Sequence, residues 1–337
     1  MATQVKDAAW LAWIERLVAE APTSFPPERF HCLLDDQPDH LAQRSPLQSQ
    51  AWEDLADRPL FLHPDCWMTR GAQSPGDVPY IDHFALQGDV LWLKDPASLM
   101  IQPFWLGREL AACVRGLQPD ESVSAPAHIL RKLFMAGIVV PENFAHNRRR
   151  QWAERLGRIS EGYCKNLYAP MRSVLHPLHV SALRRYFRHL IRKGLLHLGD
   201  EQSSRRFITH NEGVLRFFHQ QLTATVSAVA GQKVTPSYVY LGAYQGGAIL
   251  EKHTDRPQCD FSLTFCLDYS PEPKLETPWP IELHPASGKV TVYQAIGDGL
   301  FYRGCRVPHS RQALPEGHSS TSIFFHYVRE DFEGSLD

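Results

Sequence analysis

The sequence has no apolar run approaching the roughly 18 residues that a membrane span requires. Its first residues, MATQVKDAAW, lack a basic segment followed by an apolar one, so no secretion signal is expected. Net charge is small, −2 at neutral pH, which leaves no global basic field to recruit nucleic acid. No Cys-x-x-Cys pair occurs among the seven cysteines, Cys32, Cys66, Cys113, Cys164, Cys259, Cys266 and Cys305. They read as reduced, mostly buried thiols of a cytoplasmic protein. Gly-x-Gly-x-x-Gly fingerprints, phosphate loops and Gly-x-Ser-x-Gly elbows are missing as well. Internal repeats and low-complexity tracts are absent. Neither a nucleic acid nor a membrane is an expected partner, and the oligomeric state stays open.

What is present is ordinary globular material: 337 residues, 43% hydrophobic and 21% charged, enough for two or three domains. Residues 7–20 place Trp10, Trp13, Ile14, Leu17 and Val18 at helical spacing behind Asp7 as a cap. The rest of 1–79 reads as an irregular extension of loops and short helices. In 80–145, Tyr80–Leu86 and Asp89–Leu93 read as strands around Gln87-Gly88, and Leu106–Arg115 as a helix. A second helix opens at Ser124, with Pro126 in its first turn, and passes through Leu130, Leu133 and Phe134 to Gly137. Ile138–Val140 then reads as a strand. This order resembles a winged helix, more narrowly the small winged-helix domains that hold leader peptides in ribosomal-peptide maturation. The likeness is one of pattern and rests on no diagnostic residue.

The third segment, 146–337, starts with a basic run, His146–Trp152, which reads as a solvated helix face or a linker. Ser181–Lys193 puts Leu183, Phe187, Leu190 and Ile191 on one helical face, with Gly194 as the stop. Asn211–Ala230 is a second amphipathic helix, with Asn211 as cap and Gly231 as stop. From Pro236 the texture turns to short β-rich runs: Tyr238–Tyr244, Ile249–His253, Phe261–Tyr269, Trp279–His284, Lys289–Gln294, Gly299–Tyr302 and Ser320–Val328. The expected fold class is α+β: a C-terminal jelly-roll with supporting helices, after a mainly helical N-terminal region.

His253-Thr254-Asp255 and the distant His309 carry the chemistry. Residues i and i+2 of a strand share a face about 6.6–6.8 Å apart, so His253 and Asp255 at a strand's end can converge on one ion. His309, just past the strand Gly299–Tyr302, can supply the third ligand. Two imidazoles and one carboxylate on one face of iron leave positions open for a chelating co-substrate and dioxygen. By ligand type alone, zinc is possible too, as in a hydrolase or a cupin-like isomerase.

The neighbouring residues narrow this. Tyr244-Gln-Gly-Gly-Ala-Ile-Leu-Glu-Lys-His253-Thr-Asp255 is similar to the segment before the metal in prolyl 4-hydroxylase-like oxygenases. Gly297-Asp-Gly-Leu-Phe-Tyr-Arg-Gly-Cys-Arg-Val-Pro-His309 resembles their approach to the distal histidine, and Ser320–Val328 their closing strand. The resemblance covers about residues 175–330. It implies a double-stranded β-helix, Fe(II), 2-oxoglutarate and O2, with release of succinate and CO2 and hydroxylation of an amino acid, a peptide or a small natural product. It also implies a Lys or Arg about ten residues beyond the distal histidine, to bind the far carboxylate of 2-oxoglutarate. Here that stretch is Glu316-Gly-His-Ser-Ser-Thr-Ser322, without either. Arg311, two residues after His309, is the first substitute, ahead of Arg303, Arg306, Arg256 and His318. Tyr244, Ser320 and, less directly, Ser322 are further donors. Arg256 and Gln258 are expected to touch substrate. Asp255 stands where related halogenases drop the carboxylate, so halogenation is not expected. The alternative is a non-catalytic ligand-binding or sensor protein with a winged-helix output.

Overall fold

The structure is a computed structural model that describes residues 25–37, 52, 58–71, 73 and 75–337. The helix expected over 7–20 lies outside these residues.

In the N-terminal part, strands β1 (Leu60–Leu62), β2 (Cys66–Arg70), β3 (Asp89–Lys94) and β4 (Ile101–Leu106) are followed by helices α1 (Arg108–Val114) and α2 (Ala127–Met135) and strand β5 (Val139–Pro141). β2, β3 and β4 form a three-stranded antiparallel sheet, and β1 pairs with β5. The partner of β3 is thus Cys66–Arg70, not Tyr80–Leu86. Tyr80 takes a left-handed φ of 61°, and Ile81–His83 coil into a 3-10 turn, which breaks the extended backbone that a strand needs.

Helix α3 (Phe144–Asn166) contains the basic run. Arg149 and Arg150 are exposed, but Arg148 is not part of a solvated face. It is buried and donates to Asp95 through Nε at 3.0 Å and Nη2 at 2.8 Å. This fork ties α3 to the end of β3.

Strand β6 (Tyr168–Met171), helix α4 (Pro177–Arg192), strands β7 (His197–Leu198) and β8 (Arg206–His210) and helix α5 (Gly213–Ala230) come next. The cap of α5 is Glu212, whose carboxylate accepts from Leu215 N at 3.0 Å. Asn211, one residue earlier, has a φ of 51° and uses its side chain to accept from Val239 N. Eight strands complete the chain: β9 (Val234–Gln245), β10 (Leu250–His253), β11 (Phe261–Ser270), β12 (Ile281–Leu283), β13 (Val290–Val292), β14 (Gly299–Tyr302), β15 (His309–Arg311) and β16 (Ser319–Arg329).

These eight strands alternate between two antiparallel sheets. The larger runs β6-β14-β11-β16-β9-β8-β7 and the smaller β10-β15-β12-β13. The chain crosses between sheets after β9, β10, β11, β13, β14 and β15, which is the winding of a jelly-roll. Period-2 alternation sorts the side chains of the larger sheet. Val239, Leu241, Leu263, Phe265, Ile323 and Phe325 turn to the helices and join one apolar cluster with Phe187 of α4 and Phe217 and Leu222 of α5. That cluster continues without a break to Trp92, Phe104 and Trp105 of the N-terminal sheet. Burial of each such side chain contributes about 1.5–3 kcal/mol. The other face of the same strands, with Tyr238, Tyr244, Ser262, Thr264, Ser320 and Ser322, is left for polar chemistry.

Among the described residues, no helix is long and apolar enough to cross a membrane.

Candidate metal centre and its surroundings

His253 ends β10, His309 opens β15, and the two lie directly opposite each other across the strand pair. Their ring centroids are 4.4 Å apart. Asp255 follows in the loop, where its N–H donates to Gly304 O at 3.0 Å. Its Oδ1 lies 3.7 Å from His253 Nε2 and 3.4 Å from His309 Nε2. The three expected ligands therefore meet. Asp255 does so from just beyond the strand, held by the Gly304 carbonyl.

Both imidazoles are oriented in one way. His253 Nδ1 faces Glu251 O at 2.8 Å and His309 Nδ1 faces Val307 O at 3.1 Å, each a carbonyl two residues earlier. With Nδ1–H donated to the backbone, Nε2 is the nitrogen turned toward Asp255 and the one left to bind a metal. Burial pushes the His253 pKa down, and the neighbouring His309 adds to this. For Asp255 burial acts upward, but the hydrogen bond and charge of His309 outweigh it and hold the carboxyl well below the usual range. Two imidazoles and one carboxylate, with donor atoms within 4.8 Å of one another, fit a divalent ion and leave much of its coordination sphere open.

A supporting layer surrounds these three residues. Ser262 Oγ donates to Asp255 Oδ2 at 2.7 Å and lies 3.0 Å from His326 Nδ1. The Tyr302 hydroxyl is 3.1 Å from Thr264 Oγ1 and 3.3 Å from His309 Nε2. Gly304 packs against the loop so closely that a Cβ there would lie 2.4 Å from Cys259 O and 2.5 Å from Ser262 Oγ.

Arg311 lies on the same strand as His309 and is only 4% exposed. Its Nη1 donates to Trp279 O at 2.7 Å, its Nη2 to Gln294 Oε1 at 3.3 Å, and its guanidinium stacks 4.5 Å from the Trp279 ring. All of these partners are neutral. Among the described residues no carboxylate pairs with Arg311. Tyr244 packs edge-on against Trp279 at 5.1 Å, and Ser320 lies opposite Tyr244 across β9 and β16. The Tyr244 hydroxyl accepts from Arg206 Nη1 at 2.7 Å, so its own proton remains to be donated. Trp279 is buried beneath this cluster, with its indole N–H on Gln312 O at 2.7 Å.

The other candidate anchors are differently engaged. Arg303 is ion-paired with Asp260, Arg306 is exposed, and His318 Nδ1 lies 2.8 Å from the Tyr269 hydroxyl. Arg256 is exposed after Asp255, with its guanidinium 5.0 Å from the Tyr238 ring. Gln258, half-buried in the 3-10 turn Pro257–Cys259, offers its carbonyl to Ser237 Oγ at 2.6 Å. Ser322 is buried among the inward positions of β16.

Sequence reasoning missed Ser262, Thr264, Gln294, Tyr302 and Arg206. The signal for the first two was there: Phe261-Ser-Leu-Thr-Phe-Cys266 alternates apolar and polar, as expected of a strand with one face on a polar interior. The contacts that bring Arg206 and Gln294 to this cluster carry no local signal, because Tyr244 and Arg311 lie 38 and 17 residues away.

No family model matches this chain, and no curated protein does. Solved structures do superpose on about half of it. One is the non-heme alpha ketoglutarate dependent epimerase SnoN from nogalamycin biosynthesis, 17% identical over 52% of this chain and 83% of that one, with a TM-score of 0.44. Another is a Pseudomonas putida prolyl-4-hydroxylase, 16% identical over 52% of this chain and 99% of that one, with a TM-score of 0.43. A third is HygX from Streptomyces hygroscopicus with nickel and 2-oxoglutarate bound, 14% identical over 52% and 87%, with a TM-score of 0.41.

Proposed function

We propose that the chain is an Fe(II)- and 2-oxoglutarate-dependent oxygenase that hydroxylates an unactivated C–H bond of an amino acid, a peptide or a small natural product. The observation that carries this reading is the pairing, two residues apart on β15, of a triad histidine with a buried guanidinium that has only neutral partners. A buried cation without a counter-charge is costly. A dicarboxylate that chelates an ion at His253, Asp255 and His309 would bring its far carboxylate to Arg311 and relieve that cost.

In this reading His253, Asp255 and His309 hold the iron. Arg311 grips the far carboxylate, and Tyr244 donates its free proton to the same group. Ser320, opposite Tyr244, is a second donor. Trp279 covers the guanidinium and keeps water from it, and Gln294 fixes its orientation. When bound, iron with 2-oxoglutarate and O2 supplies oxidative decarboxylation, giving succinate and CO2, coupled to oxidation of the substrate. Arg256 and Gln258, beside Asp255 at the mouth, contact the substrate. A reducing, cytoplasmic setting suits ferrous iron and the seven cysteines, all of which are free thiols. The non-catalytic alternative has no specific observation in its favour, since the ligand set is whole.

Anaerobic titration of the Fe(II)-loaded chain with 2-oxoglutarate tests this. A weak visible charge-transfer band should grow to saturation at one equivalent. The proposal fails if 2-oxoglutarate neither binds nor produces the band.

A further inference from the structure

The two oxygens of Asp255 face different groups. Oδ1 looks toward His253 and His309, whereas Oδ2 takes the hydrogen bond of Ser262. Close to the same carboxylate lie a thiol and a third imidazole that the proposed oxygenase chemistry does not use. Cys259 closes the turn after Asp255 and is 1% exposed; His326 projects from β16 and is 6% exposed. One donor atom from each of Asp255, Cys259 and His326 lies within 4.8 Å of the other two.

We propose that Asp255, Cys259 and His326 form a second metal site, which takes a thiophilic divalent cation of the zinc class. One carboxylate, one thiolate and one imidazole are the donors such an ion prefers. They come from a loop, a turn and a strand. Ligand distances of about 2.0–2.3 Å ask the three groups to close on the ion by on the order of 1 Å. A fourth donor is at hand in either of two hydroxyls. Ser262 Oγ lies 2.7 Å from Asp255 Oδ2 and 3.0 Å from His326 Nδ1, and the Tyr238 hydroxyl lies 3.0 Å from Cys259 Sγ. On binding, the Cys259 S–H bond breaks, its proton leaves to solvent, and the sulfur lone pair forms the bond to the metal. No oxidation is involved. Asp255 would then be shared by two ions.

This site shares Asp255 with the triad but takes Cys259 and His326 as its own donors, so the failure of one can be told from the failure of the other. Anaerobic titration of the full chain with Co(II), followed by absorption, distinguishes them. Two equivalents are expected. One carries an intense near-ultraviolet thiolate-to-cobalt band, lost in Cys259→Ser and kept in His253→Ala and in the surface variant Cys164→Ser. The other lacks the band and is lost in His253→Ala. The second site is overturned if no thiolate band develops by two equivalents, or if the band survives Cys259→Ser. Loss of the band-free equivalent alone from the unmodified chain would count against the triad and leave this site standing. Should Cys259→Ser fail to fold, X-ray absorption of the cobalt-loaded unmodified chain decides. Sulfur in the metal shell is expected, and a shell of nitrogen and oxygen alone overturns the site.

Discussion

Gly304 lies so near Asp255 that a Cβ built on it would be 2.4 Å from Asp255 Oδ2. The Gly304 carbonyl also fixes the Asp255 backbone through the 3.0 Å bond from its N–H. The glycine therefore sets where the carboxylate stands. Gly304→Ala should displace Asp255 and weaken divalent metal binding. Overpacking at this point should also cost about 1–3 kcal/mol of stability. Calorimetric titration with Mn(II), alongside thermal unfolding, checks both. Unchanged metal affinity would mean that the loop can yield without moving the ligand.

Arg311 lacks a carboxylate partner among the described residues, and the proposed function assigns it one from 2-oxoglutarate. Arg311→Gln keeps a donor but removes the charge. Loss of a buried charge contact of this kind costs about 2 kcal/mol or more, so 2-oxoglutarate affinity should fall roughly thirtyfold or beyond. Metal binding should change little, since the triad is intact. Equal affinities in variant and parent would reassign the anchor to another cation.

Acid should destabilise this protein through two buried carboxylates paired with arginines. For Asp268, burial acts to raise the pKa, but Arg184 and Arg188 outweigh it and hold the group below its ordinary value. Asp95 behaves likewise, with Arg148 outweighing burial. A depressed folded pKa gives stability that is full above the unfolded value of about 4 and drains away as pH falls through the folded one. Unfolding free energy should therefore drop below about pH 4. In Asp268→Asn that acid limb should be shallower. Chemical denaturation at several pH values measures it.

Arg148 and Asp95 are each 4% exposed and bind each other as a two-pronged fork. Arg148→Met leaves the Asp95 charge buried alone, which should cost about 3–5 kcal/mol. Adding Asp95→Asn should restore part of that loss. Thermal melts of the two single variants and the double variant give the coupling.

Much of this architecture is legible in one dimension. The strand Gly299–Tyr302 and the helices α4 and α5 follow from alternation, from 3.6-residue periodicity and from glycine stops. The triad is legible because His-x-Asp and a distal His carry their own chemistry. What escapes is decided across space. Cys66–Arg70 is a strand because β3 offers it an edge, and Tyr80–Leu86 is not one because Tyr80 turns left-handed. Arg148 sits in a run of arginines that looks uniformly solvated, and only Asp95 singles it out. β15 is three residues long, too short to show a period, yet it holds both His309 and Arg311.

The central claim is that the triad turns over 2-oxoglutarate, and succinate is its most direct readout. Purified chain should form succinate when given Fe(II), 2-oxoglutarate and O2, slowly without substrate. His253→Ala should reduce that to the level without protein. Absence of succinate from the iron-loaded parent with a range of amino acids and peptides, or equal succinate from His253→Ala, would contradict the account.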